Sequence, residues 1–181
     1  MAILDWLFGP GSEPGEKARE SGRSGDTDTV RRIVAELNRL EPERARHLAA
    51  FAYVLSRVAG ADLNICDLET QQMEELLQKH GQLSEEHALL IVEIAKNQNR
   101  LFGGTENFLV TREFKKIATE KQRCEILDCL FAVSAADDAV TGEEENQIWQ
   151  IASELGISHR DFVEARLAYS DKRTVLRKKP E

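Results

Sequence analysis

Two pairs of carboxylates recur at a fixed spacing: Asp62 and Glu69, then Asp137 and Glu144 seventy-five positions further on. Residues 137–145 hold Asp137, Asp138, Glu143, Glu144 and Glu145 with no basic side chain among them. That local charge suits a hard divalent ion with oxygen ligands, calcium or magnesium. The first copy offers Asp62, Asn64, Asp67 and Glu69. Neither loop has the Asp-x-Asp/Asn-x-Asp/Asn-Gly register of an EF-hand, so one loop alone should bind weakly. Convergence of both Asp and Glu pairs about an approximate twofold axis would strengthen the site. An ordinary role competes for Glu144, because Thr141-Gly142-Glu143-Glu144 reads as a capping box whose Glu reaches back to the Thr amide. Asp137 falls at or just past a helix end, where the carbonyls disfavour a negative charge by about 0.3 to 1 kcal/mol unless an amide or a cation answers it.

The elements that must position these carboxylates are themselves repeated. Leu55–Gly81 and Leu130–Gly156 match without a gap at Leu55 and Leu130, Val58 and Val133, Ala61 and Ala136, Gln72 and Gln147, and Gly81 and Gly156, besides the acidic pairs. Each copy reads as a helix end, an acidic loop and a second helix, a duplicated unit that buries its apolar faces on its twin. Pro42 suits the first turn of a helix carrying Leu48, Phe51, Leu55 and Val58. Gly81 and Gly156 stand where a left-handed residue ends a helix. Ser84, Thr119 with Gln122, and Ser158 with Asp161 read as N-terminal caps. Asn97–Gly104, NQNRLFGG, breaks the helical period and is expected to join the copies, with a new helix from Thr105. The basic run DKRTVLRKK suits the C-terminal end of a last helix.

The chain has 181 residues, 41% of them hydrophobic and 6% aromatic, and only four prolines, so one all-α domain is expected. A formal charge of -8 argues against a general nucleic-acid binder and favours cations or basic protein surfaces. Cys66, Cys124 and Cys129 give neither a disulfide framework nor a zinc spacing, which fits a reducing cytoplasm. His47, His80, His87 and His159 show no mutual metal spacing, and Trp149 is expected at the core edge, with a partner anchor as the alternative. No run is long enough to span a membrane, and no signal peptide is expected.

Residues 1–26 read as an apolar tip, with Ile3, Leu4, Trp6, Leu7 and Phe8, on a flexible Gly- and Ser-rich tether. The tip within residues 1–8 either makes weak peripheral contact with a membrane or a groove, or folds back on the domain. A helix capped by Asp28 should open the folded part, residues 27–179, whose repeat halves run over about 42–97 and 119–170. No G-x-S-x-G, P-loop, Rossmann or H-E-x-x-H motif occurs, so an acid and base pair of Asp137 and Glu144 has little support and a non-enzymatic protein is expected.

With both acidic loops placed, the chain resembles the TerB-like family, which includes the tellurite-resistance protein TerB and the N-terminal region of a membrane-tethered DnaJ-like co-chaperone. The resemblance is clearest over Val110–Tyr169, with its alanine-rich helix, Ala136-Asp137 loop, Glu143-Glu144 helix start and Leu155-Gly156-Ile157-Ser158 step. It implies a seven- to eight-helix bundle built from two related helical halves. It also implies metal binding at Asp62, Glu69, Asp137 and Glu144, and a stress-associated role. Leu63 and Asp138 replace the glycine that often follows the loop Asp in the family, and Cys66 replaces the usual Ser or Thr cap. The leading expectation is therefore a divalent-cation-binding interaction module with a protein partner. The rival is a metal-independent adaptor or co-chaperone-associated scaffold.

Overall fold

Pro42 presets the first helical turn and the Glu41 carboxylate accepts from the Arg44 amide at 3.0 Å, which together start α1, Pro42–Ala59. From Leu48 to Ala59 every residue of α1 is buried. A helix covered on all sides belongs at the centre of a bundle, and its neighbours surround it. These are α2 (Asp67–Gly81), α3 (Glu85–Ile117), α4 (Glu120–Ser134) and α5 (Gly142–Leu155), followed by α6 (His159–Leu167) and a single 3-10 turn (Thr174–Leu176). The computed structural model describes residues 39–61 and 65–176, with side chains at all of them except 102–105. The N-terminal tip and tether, the helix expected from Asp28, and Asp62, Leu63 and Asn64 lie outside the described residues.

The described residues form an all-α bundle, and the repeat seen in the sequence is built into it. α1 ends at Ala59 and α4 at Ser134, while α2 begins at Asp67 and α5 at Gly142, each pair seventy-five positions apart. One core runs through both halves. Phe51, Leu55 and Val58 of α1 join Met73 and Leu77 of α2, Phe114 of α3, Leu127, Leu130 and Phe131 of α4, and Ile148, Ile151 and Leu155 of α5.

Two expectations about the connections are corrected. Asn97–Gly104 is not a break: α3 runs through it as one helix of 33 residues. Each glycine there costs a helix about 1 kcal/mol relative to alanine, a local penalty outweighed by the burial of Ala95, Thr111 and Phe114 on either side. Gln98 is buried as well, and Asn99 Nδ2 donates to the Ser56 carbonyl at 2.8 Å, so the polar stretch is spent on α1. The second correction concerns Gly81, which stays helical while Gln82 takes the left-handed cap at φ 51°. Gly81 is instead a point of close approach, since a Cβ there would lie 2.7 Å from Leu48 Cδ2. Gly156 does cap α5 in the left-handed region, at φ 75°.

Candidate functional site

Both acidic loops end in a helix N-cap of the same design. In the first, Glu69 Oε2 accepts from the Cys66 amide at 2.7 Å and Cys66 Sγ accepts from the Glu69 amide at 3.4 Å. In the second, Glu144 Oε2 accepts from the Thr141 amide and hydroxyl, both at 2.8 Å, and Thr141 Oγ1 accepts from the Glu144 amide at 3.2 Å. Both glutamates are buried, so their charges face the orphan donors of a helix start. Burial pushes the Glu144 carboxyl up, the Thr141 hydrogen bonds oppose that, and the nearby Asp137 charge adds to it. Asp137 itself is exposed, and its Oδ1 accepts from the Ala139 amide at 3.0 Å. Of the four expected ligands, then, Asp137 and Glu144 lie within electrostatic reach of each other, Glu69 caps α2, and Asp62 is outside the described residues.

Two further carboxylates of the second loop, Glu145 and Asp138, are met by the chain itself, while Glu143 is exposed. Arg173 makes a two-pronged pair with Glu145, Nε to Oε2 at 2.7 Å and Nη2 to Oε1 at 2.8 Å, and Arg166 Nη1 reaches Oε1 at 3.1 Å. Lys172 Nζ lies 3.1 Å from Asp138 Oδ1 and donates to the Ala135 carbonyl at the end of α4 at 3.3 Å. Burial alone would raise the Glu145 carboxyl, but the hydrogen bonds and charges of Arg173 and Arg166 outweigh it and hold it below its ordinary range. These basic residues come from α6 and the segment after it. They are the partners that local sequence could not reveal.

The expected calcium or magnesium ion is therefore corrected. Among the described residues no three His, Cys, Asp or Glu side chains group to hold a metal ion. The physical reason is that the carboxylates are already spent: Glu69 and Glu144 on helix amides, Asp137 on Ala139, and Asp138 and Glu145 on Lys172, Arg166 and Arg173.

Sequence reasoning also missed a charged joint between the halves. Arg57 of α1 is buried, and its guanidinium meets Glu154 of α5, Nη1 to Oε2 at 2.7 Å and Nη2 to Oε1 at 3.3 Å. It also donates to the Asn107 carbonyl at 3.2 Å and to the Thr111 hydroxyl. Gln147, with its carboxamide oxygen turned to the guanidinium, accepts at 2.9 Å. This joint floors a cleft of about 650 Å³ lined by Lys96, Asn97, Asn99, Arg100 and Leu101 of α3. The only advance signal was the match of Gln147 to Gln72 in the repeat.

None of the three thiols is activated. Burial raises all three thiols, Cys129 to about 12, although its Sγ lies 3.6 Å from His80 Nε2. Trp149 sits at the core edge, 39% exposed, with its ring against Phe162 at 4.8 Å and His159 at 5.2 Å. The exposed large apolar groups of α3 are Leu101 at 66%, Phe108 at 55%, Leu89 at 48% and Leu109 at 46%, with Leu89 three turns before the others. Leu101 and Phe108 are two helical turns apart and share a line with Arg112, whose guanidinium lies 5.8 Å above the Phe108 ring.

No curated protein and no solved structure matches the chain. A family model does: that of the tellurite resistance protein TerB matches residues 47–167, from the middle of α1 to the end of α6. The domains of that family are non-catalytic. On a match that spans most of its length and both acidic loops, the chain belongs to the TerB family, as a non-enzymatic, stress-associated helical protein.

Proposed function

We propose that the protein is a metal-independent helical adaptor that docks a protein partner on the outer face of α3. The observation that carries this reading is the stripe of Leu101, Phe108 and Leu109 on the helix against which α1, α2 and α5 all pack. Large apolar groups aligned on one exposed helix face suit a partner surface. Arg112 borders the stripe, followed by the Lys116 and Glu113 ion pair at 2.6 Å, so the partner has the chemistry of an amphipathic helix with an acidic group opposite Arg112. In a chain of net charge -8, a basic border on this face discriminates among partners. The acidic loops then act as joints that hold the faces of the bundle in place. The adaptor works in the cytoplasm, a placement supported by the three free cysteines.

The test is capture of partner from the source cell by the full chain and by its Leu101→Asp, Phe108→Asp variant, each with and without a chelator. Both proteins are checked for equal helix content. The adaptor reading expects a partner retained by the wild type under both conditions and lost by the variant. Loss on chelation alone, or equal capture by the variant, overturns it. Millimolar calcium or magnesium should leave the melting temperature unchanged.

A further inference from the structure

After α6 the chain runs through turns, meets the second acidic loop at a single bridge between Arg173 and Val140, and ends in the 3-10 turn Thr174–Leu176, so that it crosses that loop as a short strap. Its backbone pairs with one residue of that loop: the Val140 amide donates to the Lys172 carbonyl at 2.9 Å, and the Thr174 amide donates to the Val140 carbonyl at 2.9 Å. Arg173, between the two bonds, turns onto Glu145, and both side chains of that pair are only 14% exposed. Lys172 covers Asp138 and the last carbonyls of α4. This is how a receptor holds a peptide, with main-chain pairing for register, a two-pronged Arg to carboxylate pair for identity, and a lysine on a helix C-terminus beside it. Beyond Arg173 the grip is slight, because Val175 and Leu176 are more than half exposed.

The first half shows what the same place looks like without a strap. There α3 continues as a helix, and Lys96 Nζ bonds Thr70 Oγ1 at 3.2 Å. Lys96 and Thr70 are the counterparts of Asp171 and Glu145 in the seventy-five-residue register. In the second half α6 stops at Leu167, so the equivalent slot is filled by turns, the Arg173 bridge and a 3-10 turn in place of an α-helix.

We propose that the second loop, with Val140, Glu145 and Asp138 as its reading groups, is a binding site for a short basic peptide of the Lys-Arg-Thr type. The chain's own residues 172–174 occupy it, and a basic segment of a partner exchanges with them. A tethered occupant competes at an effective concentration on the order of millimolar. An external peptide therefore binds the intact chain poorly until the strap is weakened. The site is separate from the α3 stripe, so the two readings stand or fall independently.

The experiment uses the full chain and a fluorescein-labelled peptide of residues 169–176, at physiological salt. The variant Lys172→Ala, Arg173→Ala, with unchanged helix content, should bind the peptide at least tenfold more tightly than the wild type. Adding Glu145→Gln to that variant should abolish the gain, as should replacing the peptide's arginine with alanine. Equal binding by wild type and variant, or equal binding of a scrambled peptide of the same charge, overturns the proposal. A second readout needs no mutation. On the wild type, millimolar peptide should strip hydrogen-exchange protection from the Thr174 amide while the Val140 amide stays protected, because the incoming strand replaces its bond. Protection retained at both amides also refutes exchange.

Discussion

Replacing Arg57 with methionine is the sharpest single test of how the two halves are held together. The substitution keeps most of the aliphatic stem but removes the cation opposite Glu154, whose side chain is only 10% exposed. Thr111 and the Asn107 carbonyl lose little, because the Thr111 hydroxyl already donates to that carbonyl at 3.0 Å. Gln147 loses its donor but keeps access to the cleft. The cost therefore concentrates on one half-desolvated carboxylate whose remaining partner is Gln150 Nε2 at 3.0 Å. Breaking a buried pair from one side costs about 3 to 5 kcal/mol. In a domain of this size each kcal/mol lowers the melting temperature by about 2 to 4 °C, so thermal unfolding followed by circular dichroism should show a fall on the order of 10 °C. The double variant Arg57→Met, Glu154→Leu should recover most of it, since an apolar pair of similar volume often matches a buried ion pair. A loss below about 1 kcal/mol in the single variant, or no recovery in the double, would refute the claim that this pair joins the halves.

Glu145 ties the strap's grip to pH. Its folded carboxyl lies below the ordinary value of 4.5, so its stabilisation is fully present above that value and is lost as pH falls through the folded one. The melting-temperature gap between wild type and Glu145→Gln should thus be full at pH 7 and close in acid, and a gap that widens in acid counts against it. Thr141→Ala should cost about 1 kcal/mol in urea unfolding. Cys66→Ser should be neutral or stabilising, because a hydroxyl is a better acceptor for the Glu69 amide than a thiol. Gly81→Ala should destabilise by about 1 to 3 kcal/mol through overpacking against Leu48, despite the better helix propensity. A stabilised Gly81→Ala variant would mean that α1 and α2 do not approach as closely as described.

The parts of this fold that could be read in advance are those written locally. The starts of α2 and α5 at Asp67 and Gly142, the Thr119 and Gln122 box, and the Ser84 and Ser158 caps depend on residues three or four apart. α3 ran against its local signals, since Gly103 and Gly104 argue for a break and the packing of α1, α2 and α5 along it favours a continuous helix. Gly81 misled in the same way, because a glycine chosen for space resembles one chosen for backbone angle. At the acidic loops the anions were plain, but the cations that answer Glu145 are 21 and 28 residues away on a segment that reads as a basic helix end. The capping reading of Glu144 and the metal reading of the whole loop were both compatible with the same residues. The three-dimensional return of Arg166 and Arg173 separates them.

A helix of 33 residues is about 50 Å long, and here it serves as a common axle for the two halves whose elements repeat at seventy-five positions. The join between the halves lies inside this helix, and the core it carries is shared by both, so neither half can be detached with its interior intact. Mechanical strain applied at one end travels along the rod to the other. One shared core on one axle is expected to give a single melting transition for both halves.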